Sequence, residues 1–110
     1  MDKETLNKRI SAGNFVENNG SVLRAINILK TKYNKLKDIS YALNIDKIDI
    51  ENSINYLYEA GYLHLRTIDG HLATSLADSD FDDIEAKLTA RGIQLLAGVL
   101  KDECVEVYTS

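Results

Sequence analysis

Apolar residues recur at helical spacing through the first half of the chain and at a shorter period beyond it. Leu6, Ile10, Phe15 and Val16 among polar neighbours predict a weakly amphipathic helix over residues 1–19, which Gly13 and the Asn18-Asn19-Gly20 cluster break. Ser21 is placed to cap a second helix whose stripe is Val22, Leu23, Ile26, Leu29 and Tyr33. Asn34-Lys35 reads as a short connection. Leu36, Ile39 and Leu43, three and four residues apart, predict a further short helix. Asn44 stands where that helix must stop, because asparagine tolerates the left-handed conformation of a tight turn. Ile45 turns back into the core. The next helix runs from about Ile48 to Ala60 with Ile50, Ile54 and Leu57 on one face, and Gly61 ends it.

Past Gly61 the period shortens. Tyr62 to Ile68 reads as a strand, and Asp69-Gly70 is a strong turn signal. His71 to Asp83 is either a further strand or an elaborated loop, and Asp83 to Leu88 alternates as a strand. Thr89 is placed to cap a last helix bearing Ile93, Leu96, Val99 and Leu100. The tail from Val105 to Ser110 carries no clear signal. Two short helices joined by a tight turn, the second feeding a hairpin, describe a helix-turn-helix with a wing. The fold class expected is therefore mainly α with a small β-hairpin wing and flanking N- and C-terminal helices. In those terms residues 1–20 are an N-terminal arm or dimerisation helix. Residues 21–98 are the winged domain, with its wing at about 62–89, and 99–110 are the end of the last helix and a tail.

Three segments carry a family likeness. Leu43-Asn44-Ile45-Asp46-Lys47 has the form of a turn into a recognition helix. Leu57-Tyr58-Glu59-Ala60-Gly61-Tyr62-Leu63 has that of a junction from this helix into a wing. Ala86-Lys87-Leu88-Thr89-Ala90-Arg91-Gly92 has that of a wing closing into a helix. In this order, from Ser21 to Gly98, the chain resembles the winged-helix domains of MarR-like and PadR-like bacterial regulators. The resemblance implies that the third helix enters the major groove of duplex DNA, with the hairpin flanking it. It also implies a homodimer formed through the N- and C-terminal helices. The candidate DNA contacts are then Lys35, Lys37, Lys47, Asn52, Ser53, Asn55, Tyr56, Arg66 and His71. Asn52 and Asn55 suit adenine, and Ser53 and Tyr56 suit phosphates or bases. The chain departs from the family where Asn44 replaces the usual glycine and where no Arg or Lys follows Lys47 on the third helix. Asp49, Glu51 and Glu59 are acidic there, and Asp78, Asp80, Asp82 and Asp83 make the wing acidic.

Length and charge refine this picture. The 110 residues suit one domain, and 45% hydrophobic with 27% charged residues is ordinary for a globular chain. The net charge of −4 excludes a polybasic nucleic-acid coat or a membrane-surface peptide. Its distribution is uneven: residues 1–66 sum to +2 and residues 67–110 to −6. Lys30, Lys32, Lys35 and Lys37 form a local basic cluster, read either as a phosphate contact or as a solvated surface run.

Other chemistries find little footing. One cysteine, Cys104, excludes an intramolecular disulfide and a four-cysteine zinc site. Its acidic neighbours Asp102, Glu103 and Glu106 disfavour a thiolate, so an inert thiol is expected rather than a redox switch. Asp78-x-Asp80-x-Asp82 invites calcium, but Asp83 and Thr89 occupy positions where a calcium loop needs glycine and glutamate. His64, His71 and Asp69 make a poor transition-metal set. No phosphate loop or nucleophile motif is present, so no cofactor and no enzymatic activity are expected. The absence of a signal-like N-terminus and of a long apolar run points to the cytoplasm and away from membranes. Leu95, Leu96, Val99 and Leu100 expose more apolar surface than one face needs, which favours the homodimer over a helix packed only on its own domain. The expected function is a small dimeric DNA-binding transcriptional regulator. The alternative is a winged-helix protein-interaction module, such as an accessory or anti-repressor protein of a phage or mobile element.

Overall fold

A computed structural model describes residues 2–28 and 31–107. Leu29, Lys30 and Tyr108 lie outside the described residues. The chain is mainly helical, with a small three-stranded antiparallel sheet. Its order is α1 (Lys3–Asn27), β1 (Asn34–Lys35), α2 (Leu36–Leu43), α3 (Lys47–Glu59), β2 (Leu63–Thr67), a 3-10 turn (Phe81–Asp83), β3 (Ile84–Leu88) and α4 (Ala90–Leu96).

The expected break at Asn18-Asn19-Gly20 does not occur. Lys3–Asn27 form one continuous helix of 25 residues that runs through this cluster, capped by Asp2, whose side chain accepts from the Thr5 N–H at 2.7 Å. Ser21 therefore caps nothing. The polar cluster serves a tertiary contact instead. The Asn19 side chain donates to the Cys104 carbonyl at 2.9 Å, and Glu106 donates its N–H to the Val16 carbonyl at 3.2 Å. At Gly20 the returning tail comes so close that a Cβ would stand 1.9 Å from the Glu106 oxygen. Only glycine fits there. Signals that read locally as helix breakers are here the seat of a long-range contact 85 residues apart in sequence.

The core forms where Val22, Leu23 and Ile26 of α1 meet Ile50, Ile54 and Leu57 of α3, all fully buried. Leu36 and Ile39 of α2 close one end of it, and the inner sheet face supplies Leu63, Leu65, Ile84, Ala86 and Leu88. Asn44 stops α2 in the left-handed conformation, with φ 51°, as its residue type predicts. Thr89 caps α4 by accepting from the Gly92 N–H at 3.1 Å, and its hydroxyl donates to the Gly61 carbonyl at 2.6 Å. Gly92 is needed because a Cβ there would lie 2.5 Å from the Tyr62 carbonyl oxygen.

Three further expectations change. Asn34-Lys35 is a strand, not merely a connection: it pairs with Ala86 and Glu85 of β3, giving the sheet order β1-β3-β2. Tyr33 belongs to no helix, and its ring lies under the Arg66 guanidinium at 3.6 Å. The last helix ends at Leu96, so Val99 and Leu100 are not on it and Val99 is exposed. The ambiguous stretch from His71 to Asp83 is an elaborated loop. It begins by turning back along β2, with Ala73 bridging antiparallel to Arg66, and later passes through the 3-10 turn, which buries Phe81. None of the described helices is long and apolar enough to cross a membrane.

Two glycines in one helix should respond oppositely to the same substitution. Gly13→Ala has nothing within 4 Å of the new methyl group and should stabilise by about 0.5–1 kcal/mol through helix propensity. Gly20→Ala must push the tail away and should destabilise by about 1–3 kcal/mol despite the same propensity gain. Urea unfolding midpoints of both variants against the parent test the pair.

Candidate functional site

The left-handed turn at Asn44 joins α2 to α3, and each of the two helices packs on α1. At 100° per residue, Ile50, Ser53, Ile54 and Leu57 form the inner face of α3, and all four are fully buried. The strip opposite them is Ile48, Asn52, Asn55 and Glu59, all exposed. Ile48 is 70% exposed, and Tyr41 on α2 is 90% exposed. Lys35 and Lys37, at the start of α2, are exposed as well.

The nine sequence-derived candidates separate into groups. Asn52 and Asn55 stand on the outer strip, and Lys35, Lys37 and Lys47 reach solvent. Lys47 is partly engaged, with its ammonium 4.0 Å from Glu51 and over the Phe81 ring at 5.8 Å. Ser53 must be withdrawn: it faces α1 from the inner side of α3, and its hydroxyl finds no hydrogen-bond partner. Tyr56 must be withdrawn too. Its ring packs edge-on against Phe15 at 5.4 Å, and its hydroxyl donates to Asp102 at 2.6 Å. Arg66 is withdrawn because its guanidinium is held by Glu85 at 2.7 Å and stacked on Tyr33. His71 sits in the Asp69-Gly70 turn with φ 53° and is exposed, but its ring nitrogen lies 3.9 Å from the same Glu85. Arg66 and His71 thus converge on Glu85 at the sheet and are not part of the α3 strip.

Asp102, two residues before Cys104, is the main polar junction. Its carboxylate accepts from Tyr56 at 2.6 Å, from Tyr62 at 2.7 Å and from the Cys104 N–H at 2.8 Å. Burial opposes its charge, but these three donors and the nearby Arg91 outweigh it and hold the carboxyl below its ordinary range. Burial and the hydrogen bond to Asp102 push the Tyr62 hydroxyl up, and the same causes push Tyr56 up further. The partners lie 40 and 46 residues from Asp102, so no local sequence signal marks them. Among the described residues no group of His, Cys, Asp or Glu side chains comes together in a set able to hold a metal ion.

No protein-family model, curated protein or solved structure matches the chain.

The Asp102 junction has a pH signature. A carboxyl lowered in the folded state stabilises above the ordinary carboxylate range, and that contribution is lost as pH falls through the lowered value. The raised tyrosines contribute below about pH 10 and lose their contribution as pH rises through their folded values. Asp102→Asn should therefore cost about 1 kcal/mol near neutral pH. It should also flatten the acid limb of a stability–pH curve measured by urea denaturation, while Glu103→Gln on the exposed side of the tail should not.

Proposed function

We propose that the chain is a small winged-helix DNA-binding regulator that acts as a homodimer. The helix pair α2–α3, joined by a left-handed turn and followed by the antiparallel β2–β3 pair, supports the winged helix-turn-helix reading. The observation that carries the function is the outer strip of α3, where two amide side chains stand free in solvent while the apolar residues of the helix other than Ile48 turn inward or aside. Such a strip is what a recognition helix offers to base edges. Lys35 and Lys37, exposed at the start of α2, suit phosphate contacts that set register.

The dimer reading rests on α1. Its first half, from Lys3 to Asn14, is exposed along its whole length, with Leu6 48% and Ile10 52% exposed one turn apart. A second copy of this helix would cover both residues. A second functional reading is favoured by one specific observation: Ile48 and Tyr41 are largely exposed, and the exposed carboxylate of Asp49 adjoins Ile48 in sequence, a mixture that suits a protein partner.

Fluorescence anisotropy with labelled duplexes from the neighbourhood of its own gene, over a salt series, separates the two. On the DNA reading, Lys37→Ala weakens binding to every duplex and lowers the salt slope by about one. Asp49→Asn removes a repulsive carboxylate and tightens binding about equally on all sequences, and Ser53→Ala leaves binding unchanged. Absence of binding at low salt by folded dimer transfers the function to the protein-partner reading. Independently, sedimentation should show that Leu6→Glu with Ile10→Glu gives folded monomers, and an unchanged dimer would move the interface elsewhere.

A further inference from the structure

The outer strip of α3 also says which bases it can read. Resting on the DNA-binding proposal above, we infer that this helix selects A·T pairs and rejects guanine, so that its operator has an A·T-rich core with thymine methyl groups facing Ile48.

In the major groove guanine turns two acceptors to the protein, and only a side chain with two donors, Arg or Lys, reads them well. The strip of Ile48, Asn52, Asn55 and Glu59 has neither. Lys47 is the one basic residue of α3 and stands on its flank, drawn toward Glu51 and the Phe81 ring. Arg66 is spent on Glu85 and Tyr33. An asparagine amide, by contrast, accepts one hydrogen bond and donates another, which matches the N6 and N7 edge of adenine. Asn52 and Asn55 lie on adjacent turns of the strip, so they can address nearby base pairs.

Ile48 completes the set. Ile48 is a branched apolar side chain 70% exposed on a strip with two amides, and the apolar feature of the groove is the thymine C5-methyl. Its place in the first turn of α3 is where recognition helices meet base edges. Asp49 and Glu59 could accept from the cytosine amino group, but Asp49 is off the strip and Glu59 is far from the first turn. Asp49 lies about 100° round from Ile48, on the Tyr56 side, and Glu59 is the last residue of the helix.

The test is selection from a random-sequence duplex library with the 110-residue chain, followed by single-base and single-atom changes in the selected site. The expected outcome is an A·T-rich core in which each G·C replacement opposite Asn52 or Asn55 weakens binding about 10-fold or more. Replacing the thymines by deoxyuracil removes only their methyl groups. It should weaken the parent protein several-fold and leave Ile48→Ala unaffected. Asn52→Arg, at an exposed position, should shift one core position to guanine. A selected core containing guanine at those positions, or equal affinity for thymine and uracil sites, overturns the inference while the DNA-binding proposal stands. Failure to retain any duplex at low salt overturns both.

Discussion

One carboxylate ties together parts of the chain that are far apart in sequence. Asp102, on the segment after α4, accepts hydrogen bonds from Tyr56 in α3 and from Tyr62 at the entry to β2. The residues that follow it then cross α1, where Asn19 and Arg24 donate to the Cys104 and Glu106 carbonyls and Val105 enters the core. The tail acts as a strap over the α1–α3 pair. Its position depends on a helix with no side chain at Gly20, so a single missing Cβ allows the close approach on which the other contacts build.

That strap decides which sides of α3 remain available. The inner face is committed to α1 by Ile50, Ser53, Ile54 and Leu57. One flank is committed to the strap through Tyr56, and the other faces the 3-10 turn, where Lys47 approaches Phe81. Only the strip from Ile48 to Glu59 is left. The proposed function follows from this subtraction more than from any one residue: three sides of the helix hold the fold together, and the fourth carries side chains that do nothing for it.

Much of this architecture is legible in the sequence, because it rests on local rules. The three-and-four spacing of Leu36, Ile39 and Leu43, the i, i+4, i+7 row of α3, the left-handed Asn44 and the Thr89 cap each depend on near neighbours, and each is found where the residues predict it. What stays hidden depends on distant contacts. Asn18-Asn19-Gly20 has the composition of a break, and only the tail, some 85 residues on, makes it a helix interior. Ser53 and Tyr56 are polar and so read as surface, but the first is enclosed by α1 and the second is claimed by Asp102. Arg66 is likewise neutralised by Glu85, which lies directly opposite it across the β2–β3 pair. Asn52, Asn55, Lys35 and Lys37, which stay exposed, are members of the proposed site whose role requires no partner within the fold.

The pairing of charges bears on what kind of DNA binding such a surface could support. Nonspecific affinity comes almost wholly from cations that replace counterions along the phosphate backbone. Of the basic candidates, Arg66 is cancelled by Glu85 and Lys47 is partly cancelled by Glu51, while Lys35 and Lys37 have no ion-pair partner among the described residues. Asp49 and Glu59 stand exposed on α3 with their own negative charge. A helix of this kind would gain little from an arbitrary duplex. Its binding energy would have to come from base contacts, each worth about 1–3 kcal/mol when bidentate, and from a second subunit that doubles them. The acidity of the chain is then compatible with recognition, because it lowers attraction to every sequence alike and leaves the difference between right and wrong sequences intact.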